Sequence, residues 1–309
     1  MAFLFMSEAD DAEDWRQLIA NHMPGEEFRV GPNAPGDPAD VEFLLVWRPP
    51  PGSMKGYPNL KAVLNLGAGV DGVLKDPDLP DVPLVRLIDD GLSQGMAEYV
   101  THAVLHFHRD MHRYREFQAK AEWTQIPQVD AHNRRVGILG MGHLGQTCAR
   151  ALLPFGFPVN GWSRTPKEVE GVEGFHGSDG LEAFLALSDI VVCLLPLTAE
   201  TRGLLNKDVF ALMPEKSFLV NAARGPVVVA EDLIAALDSG HLAGAFLDVF
   251  AKEPMPASDP LWKHPKVIVT PHIAAITLPR PAAKEVVANI KRIRKGETPV
   301  GLVDRERGY

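Results

Sequence analysis

Gly140, Gly142 and Gly145 in "VGILGMGHLG" have G-x-G-x-x-G spacing, directly after a β-branched run and ahead of a helical pattern. A dinucleotide pyrophosphate requires that context. Gly140 permits a tight turn, Gly142 lets backbone approach the phosphates, and Gly145 lets helix and strand pack closely. His143 and Leu144 open the helix, whose N-terminus presents N–H groups and a partial positive charge. Roughly 20 residues further on, an NAD-binding chain normally carries an acid for the ribose 2′-OH. Here the second strand ends Trp162-Ser163-Arg164-Thr165, Lys167 follows, and no acid lies within 160–165. Arg164 can meet a phosphate with a planar pair of donors and Ser163 can add a hydroxyl, which favours NADP over NAD. The alternative is that Arg164 caps a solvated turn.

Three later segments supply further polar groups. "NAARG" places Arg224 after an apolar run, "DVFAKEP" places Glu253 in a loop, and "VTPHIAAIT" places His272 after another run. Open parallel sheets gather ligands at the carboxyl ends of their strands, so all three can converge on the crevice that holds Gly142. Singly, each has an ordinary reading: a surface arginine, a loop acid before Pro254, a satisfied core histidine.

The elements that must position these residues alternate between strand and helix. "AFLFMS" (2–7), "VEFLLVW" (41–47), "KAVLNLG" (61–67) and "PLVRLI" (83–88) read as strands, with helical patterns such as "AEDWRQLIANHM" between them. The Pro/Gly-rich "WRPPPGSMKGYP" (47–58) must be a loop. A long helix is expected over 95–120, with an apolar stripe at Ala97, Val100, Val104, Phe107 and Met111. A second series of strands follows at 134–140, 159–163, 189–196, 217–223, 244–250 and 266–271, and 281–297 reads as a last helix returning to the first unit. Such alternation implies crossover connections and parallel sheets.

Bulk properties exclude several classes. At 309 residues the chain is long enough for two domains at roughly 150 residues each. A formal net charge of −9 argues against nucleic acid or an anionic membrane as partner. No apolar run approaches the ~20 residues that span a bilayer. "MAFLFMSEADDAEDW" lacks the basic start of a signal peptide, and Cys148 and Cys193 lie in apolar runs, so a reducing cytoplasm is expected. His102, His106, His108 and His112 include i,i+4 pairs that can hold zinc. They lack a third ligand and have Arg109, Arg113 and Arg115 beside them, so they read as a polar helix face and no metal is expected.

Taken together the motifs resemble the D-isomer-specific 2-hydroxyacid dehydrogenases, in detail their glyoxylate/hydroxypyruvate reductase A branch. The resemblance runs through "LGAGVDGVL" (66–74), "GILGMGHLG", "WSRTPK", "LLPLTAETRGL" (194–204), "NAARGPVVVAEDLIAALDSGHLAGAFLDVFAKEP" (221–254), "LWKHPKVIVTPHIAAIT" (261–277) and the terminal "VDRERGY". It implies two doubly wound α/β domains: a Rossmann NADP-binding domain over 99–280, and a flavodoxin-like substrate domain from 1–98 with 281–309. It further implies that Arg224 holds a 2-oxo acid, that His272 protonates the carbonyl oxygen as hydride arrives, and that Glu253 hydrogen-bonds to His272. Backbone amides of Ala68 and Gly69 would bind the substrate carboxylate, and Trp47 would cover the pocket. Leu195 and Pro196 would line the adenosine, Thr201, Ala222 and Ala223 would run along the cofactor, and Asp248 would meet the nicotinamide carboxamide unless it caps a loop instead. The implied activity is NADPH-dependent reduction of a small 2-oxo acid by a homodimer. An NAD-dependent dehydrogenase of another substrate, of phosphoglycerate or formate type, and a non-catalytic dinucleotide-sensing protein remain the alternatives.

Overall fold

The computed structural model describes all residues, 1–309. It divides into two compact units, one of Met1–Leu92 with Ile276–Tyr309 and one of Ser93–Ala275. In chain order the first unit carries β1 (Ala2–Ser7), α1 (Ala12–His22), β2 (Glu27–Val30), β3 (Val41–Trp47), β4 (Ala62–Asn65), α2 (Asp71–Leu74) and β5 (Leu84–Arg86). The division falls within α3 (Asp90–His108), which is followed by α4 (Met111–Ala119). The second unit continues with β6 (Val136–Leu139), α5 (His143–Leu152), β7 (Val159–Ser163), β8 (Val172–His176), α6 (Gly177–Ala186), β9 (Ile190–Cys193) and α7 (Lys207–Leu212). It ends with β10 (Ser217–Asn221), α8 (Ala230–Asp238), β11 (Leu242–Leu247) and β12 (Val267–Val269); α9 (Pro279–Arg294) belongs to the first unit.

Both sheets are parallel throughout. The first has the order β2-β1-β3-β4-β5, the flavodoxin-like arrangement. The second has the order β12-β11-β10-β9-β6-β7-β8, which is the Rossmann order with one strand added. A strand presents alternate residues to opposite faces, and the two-sided cores follow from that. In the second unit Val136, Ile138, Val192 and Val220 pack with Cys148 and Leu152 of α5 on one face. Leu139, Val191, Cys193 and Leu219 pack with Phe184, Phe210 and Leu233 from α6, α7 and α8 on the other. In the first unit Phe3, Phe5, Phe43 and Leu45 pack against Trp15 of α1 and Val286 and Ile290 of α9. Arg294 fixes the end of α9 by pairing with Glu26 and Glu42 while lying over the Phe3 and Phe43 rings.

Three sequence expectations need correction. The helix expected over 95–120 begins at Asp90 and breaks at Asp110, whose φ of 55° is left-handed, so Met111 leaves the apolar stripe and is 40% exposed. β2 and β8 were not anticipated, because "EFRV" and "VEGFH" are short and largely polar edge strands. The histidines do not form a polar face. His108 is buried edge-on against Phe157, and His106 and His112 pack among Phe107, Phe218 and Phe246. Burial, reinforced by His112, His102 and Arg115, holds the His106 imidazole down to about 4, and burial lowers those of His108 and His112 as well. No group of three or more His, Cys, Asp or Glu side chains is placed to hold a metal ion, and no helix is long and apolar enough to cross a membrane.

Candidate active site

The three glycines after β6 have three different environments. Gly140 has φ +116°, and a Cβ on it would lie 2.9 Å from the Leu194 carbonyl group. A Cβ on Gly145 would lie 2.0 Å from the Gly140 oxygen, so α5 could not sit where it does with a larger residue. At Gly142 nothing lies within 4 Å, and neither it nor His143 is buried. Gly142 caps α5 without any side-chain bond, and the first turn of α5 carries no acid. A tight turn, a close packing point and open space ahead of a helix N-terminus fit a dinucleotide pyrophosphate.

The end of β7 lies beside this turn: the Trp162 carbonyl accepts from the amides of Gly140 and Met141 at 2.9 and 3.2 Å. Trp162 donates its indole N–H to the Gly177 carbonyl, and the Ser163 hydroxyl donates to the Thr165 carbonyl at 2.7 Å. Arg164 meets Glu200 at 3.5 Å across an exposed surface. After β9, Leu195 is buried and the Thr201 hydroxyl donates to the Pro196 carbonyl at 2.6 Å, closing the loop on itself. Ala222 and Ala223 follow β10 and are buried.

Arg224, Glu253 and His272 follow β10, β11 and β12, three neighbouring strands of one sheet. Arg224 donates to the Ala223 carbonyl at 2.7 Å. The next residue, Gly225, lies so close to the loop after β11 that a Cβ there would stand 1.9 Å from the Phe250 carbonyl carbon. The Phe250 amide in turn donates to Glu253 Oε1 at 3.1 Å, and Glu253 Oε2 meets His272 Nδ1 at 2.7 Å. Backbone contact thus links the arginine loop to the loop that carries the acid, and the acid to the imidazole. Glu253 accepts only, so Nδ1 carries the proton in this bond.

His272 has φ +56°, a left-handed conformation that costs a non-glycine residue about 1–3 kcal/mol and persists only where its surroundings impose it. Asp248 imposes it. The Asp248 carbonyl accepts from His272 N, and its carboxylate accepts from the amides of Ile273 and Ala274, all at 2.8 Å. The Thr270 hydroxyl adds a bond of 2.6 Å to the same carboxylate. Asp248 is 1% exposed, and its contacts brace the turn that carries His272.

In the first unit Trp47 is the last residue of β3 and its ring lies against Gly67, where a Cβ would be 2.3 Å from it. Buried Asn65 donates to the carbonyls of Gly67 at 2.7 Å and Gly69 at 3.1 Å, turning both carbonyls inward. Ala68 and Gly69 remain partly exposed. Asn65, Tyr99, Gly225 and Thr270 were not singled out from the sequence. Gly225 and Thr270 are in motifs already quoted, and a tyrosine hydroxyl on the apolar side of a helix signals a partner. Nothing local marks Asn65.

Over residues 101–274 the chain matches the sequence model of the D-isomer specific 2-hydroxyacid dehydrogenase NAD binding domain. It is 42% identical over 315 aligned residues, covering all of both chains, to a Serratia proteamaculans protein named glyoxylate/hydroxypyruvate reductase A. The crystal structure of a D-isomer specific 2-hydroxyacid dehydrogenase from Xanthobacter autotrophicus Py2, in complex with NADPH and MES, is 47% identical. It superposes with a TM-score of 0.98 over 100% of this chain and 99% of that one. The NADPH-dependent glyoxylate/hydroxypyruvate reductase of Sinorhizobium meliloti, solved with NADP and sulfate, is 38% identical, with a TM-score of 0.92 over 100% and 99% of the two chains. Likeness of this extent, carried by the whole chain and by its nucleotide-binding half separately, makes the chain a member of the D-isomer specific 2-hydroxyacid dehydrogenase family.

Proposed function

We propose that this chain uses NADPH to reduce a small 2-oxo acid, glyoxylate or hydroxypyruvate being favoured, to the 2-hydroxy acid. The observation that carries the reading is the Glu253–His272 pair at 2.7 Å on the strand ends next to the Arg224 loop. The names of full-length relatives, glyoxylate/hydroxypyruvate reductase A, support the same reaction and substrate class. NADPH, when bound, supplies the hydride that adds to the carbonyl carbon.

The chain's own residues do the rest. Arg224 pairs with the substrate carboxylate or carbonyl oxygen through two parallel N–H bonds, which orient as well as bind. His272 enters protonated on both nitrogens and gives its Nε2 proton to the carbonyl oxygen; Glu253 keeps its bond to Nδ1 throughout and so fixes the ring. In the reverse direction His272 takes that proton back. The amides of Ala68 and Gly69 bind the carboxylate, glycine leaves room for a small acid, and Trp47 covers it. The turn from Gly140 to Gly145, with His143 and Leu144, holds the pyrophosphate. Leu195, Pro196, Thr201, Ala222 and Ala223 line the cofactor, and Asp248 meets the carboxamide with acceptor capacity left on Oδ2.

Ser163 and Arg164 take the 2′-phosphate beside Trp162. In the structure Arg164 pairs with Glu200 at the surface. Such a pair contributes about 0–1 kcal/mol, whereas each hydrogen bond to a charged group contributes about 1.5–3 kcal/mol, so a phosphate displaces the glutamate. Two buried free cysteines are in keeping with a cytoplasmic setting, and the family resemblance supports a homodimer.

The test is loss of NADPH absorbance by purified protein with glyoxylate, hydroxypyruvate and pyruvate, run in parallel with NADH. Absence of NADPH oxidation with any short 2-oxo acid overturns the reading. Near-wild-type turnover by both His272→Asn and Arg224→Lys overturns the assigned roles.

A further inference from the structure

We propose that Tyr99 and Thr270 form a positioning pair which, acting through Asp248, holds His272 in the conformation from which it delivers its proton. The inference rests on the reading of His272 as the proton donor. The connection runs through the carboxylate that brackets the His272 turn, beside the main-chain bond from the His272 amide to the Thr270 carbonyl.

The direction of each bond follows from the donors available. Thr270 Oγ1 lies 2.6 Å from Asp248 Oδ1 and 2.6 Å from Tyr99 Oη. A carboxylate only accepts, so the single Thr270 proton goes to Asp248. The Tyr99 hydroxyl, 171 residues away in the chain, is therefore the donor to Thr270. Burial raises the Tyr99 phenol above its usual range, so it keeps its proton, and this bond, through the alkaline range. Its ring is gripped as well: it stands edge-on at 83° to Phe246, 5.5 Å away on β11, two residues before Asp248.

The result is a chain Tyr99–Thr270–Asp248 whose carboxylate ends on the amides at 273 and 274, while the Asp248 main-chain carbonyl takes the amide of His272. Asp248 Oδ1 serves Thr270 and Ile273 together, so the hydroxyl sets where that oxygen sits between residues 270 and 273. Without the hydroxyl the carboxylate can rotate toward the two amides alone. The left-handed turn then loses its tie to β12, and the imidazole loses its fixed aim. Misplacement of a reacting group by about 1 Å is enough to cost on the order of 100-fold in rate.

The experiment is steady-state kinetics with NADPH and the best 2-oxo acid, for Thr270→Val, Thr270→Ser, Tyr99→Phe, Thr270→Val with Tyr99→Phe, and His272→Asn. Thr270→Val is expected to lower kcat about 20- to 50-fold with both KM values within about threefold. Thr270→Ser, which keeps the hydroxyl, is expected to stay within about threefold of wild type. Tyr99→Phe, which removes one oxygen and remains readable if Thr270→Val folds poorly, is expected to lose about 3- to 10-fold in kcat. The double variant should be no worse than Thr270→Val, because the two act in series. Wild-type kcat in both Thr270→Val and Tyr99→Phe overturns the proposal. So does a Thr270→Ser variant as impaired as Thr270→Val, since that would be a packing effect. Failure of the underlying reading is separately visible: His272→Asn would then retain turnover.

Discussion

Gly225 is the position where one added carbon should cost most. A Cβ there would lie 1.9 Å from the Phe250 carbonyl carbon, 2.2 Å from its oxygen and 2.4 Å from Ala251 N, about 1.0–1.5 Å short of the 3.4 Å at which ordinary contact begins. All three obstacles are backbone, so no rotamer change relieves the clash. The loops after β10 and β11 must separate instead. Phe250 is bonded to Glu253, and Glu253 to His272, so the displacement passes to His272 on one side while Arg224 moves on the other. Overpacking of this kind destabilises by about 1–3 kcal/mol, which for a unit of this size lowers Tm by about 2–4 °C per kcal/mol. A shift approaching 1 Å between reacting groups removes about 100-fold from kcat/KM. Gly225→Ala should therefore show both losses, read by thermal melting and by NADPH oxidation. Gly142→Ala is the contrasting variant. Its Cβ meets nothing, so Tm should stay at the wild-type value while KM for NADPH rises about tenfold or more through lost phosphate contact. A Gly225→Ala enzyme with wild-type kcat/KM and Tm would show that the close approach of the two loops does not matter to the site.

Replacing Ser163 and Arg164 together with alanine should raise KM for NADPH about 10- to 100-fold and leave NADH nearly unchanged, as loss of a charged hydrogen-bond pair predicts; equal effects on both cofactors would make the segment a solvated turn. Asn65→Ala should raise KM for the 2-oxo acid about tenfold without changing KM for NADPH, because the carbonyls of Gly67 and Gly69 lose the amide that turns them inward. An unchanged substrate KM would remove Asn65 from the site. His106 predicts an acid limit to stability. Its folded-state value of about 4 lies below the ordinary 6.5, so the unfolded chain binds more protons between the two. Stability is then full above about pH 6.5 and falls as pH is lowered toward 4, by about 1–2 kcal/mol after allowing for partial exposure. Tm measured from about pH 7.5 to 5 should fall less steeply in His106→Gln, and an identical slope would refute the assignment.

Much of this is legible in the sequence. The long strands announce themselves as β-branched runs, and the glycine spacing predicts three distinct environments that the structure reproduces one by one. The shared edge of Arg224, Glu253 and His272 is legible because each follows a strand, and neighbouring parallel strands put such residues side by side. What escaped is what depends on convergence in space. Tyr99 and Thr270 are 171 residues apart, and only the sheet and α3 bring the two oxygens within 2.6 Å. Nothing in the sequence sets Gly225 apart from other loop glycines, because its constraint comes from the backbone of Phe250. The buried histidines misled for a related reason: four imidazoles and three arginines on one segment read as polar, while Phe157, Phe218 and Phe246 arrive from elements far along the chain.

The strand order of the second unit has a further consequence. β7, which carries Ser163 and Arg164, and β12, which precedes His272, are separated by β6, β9, β10 and β11. Five inter-strand spacings of about 4.8 Å put them some 24 Å apart. On the proposed reading one flank selects the reductant and the other moves the proton, and changes at sites this distant usually combine additively. Such a sheet can drift in its cofactor preference, by inheritance or by exchange of residues 162–167, while the acid–base machinery stays untouched. Its breadth makes the two properties independently evolvable.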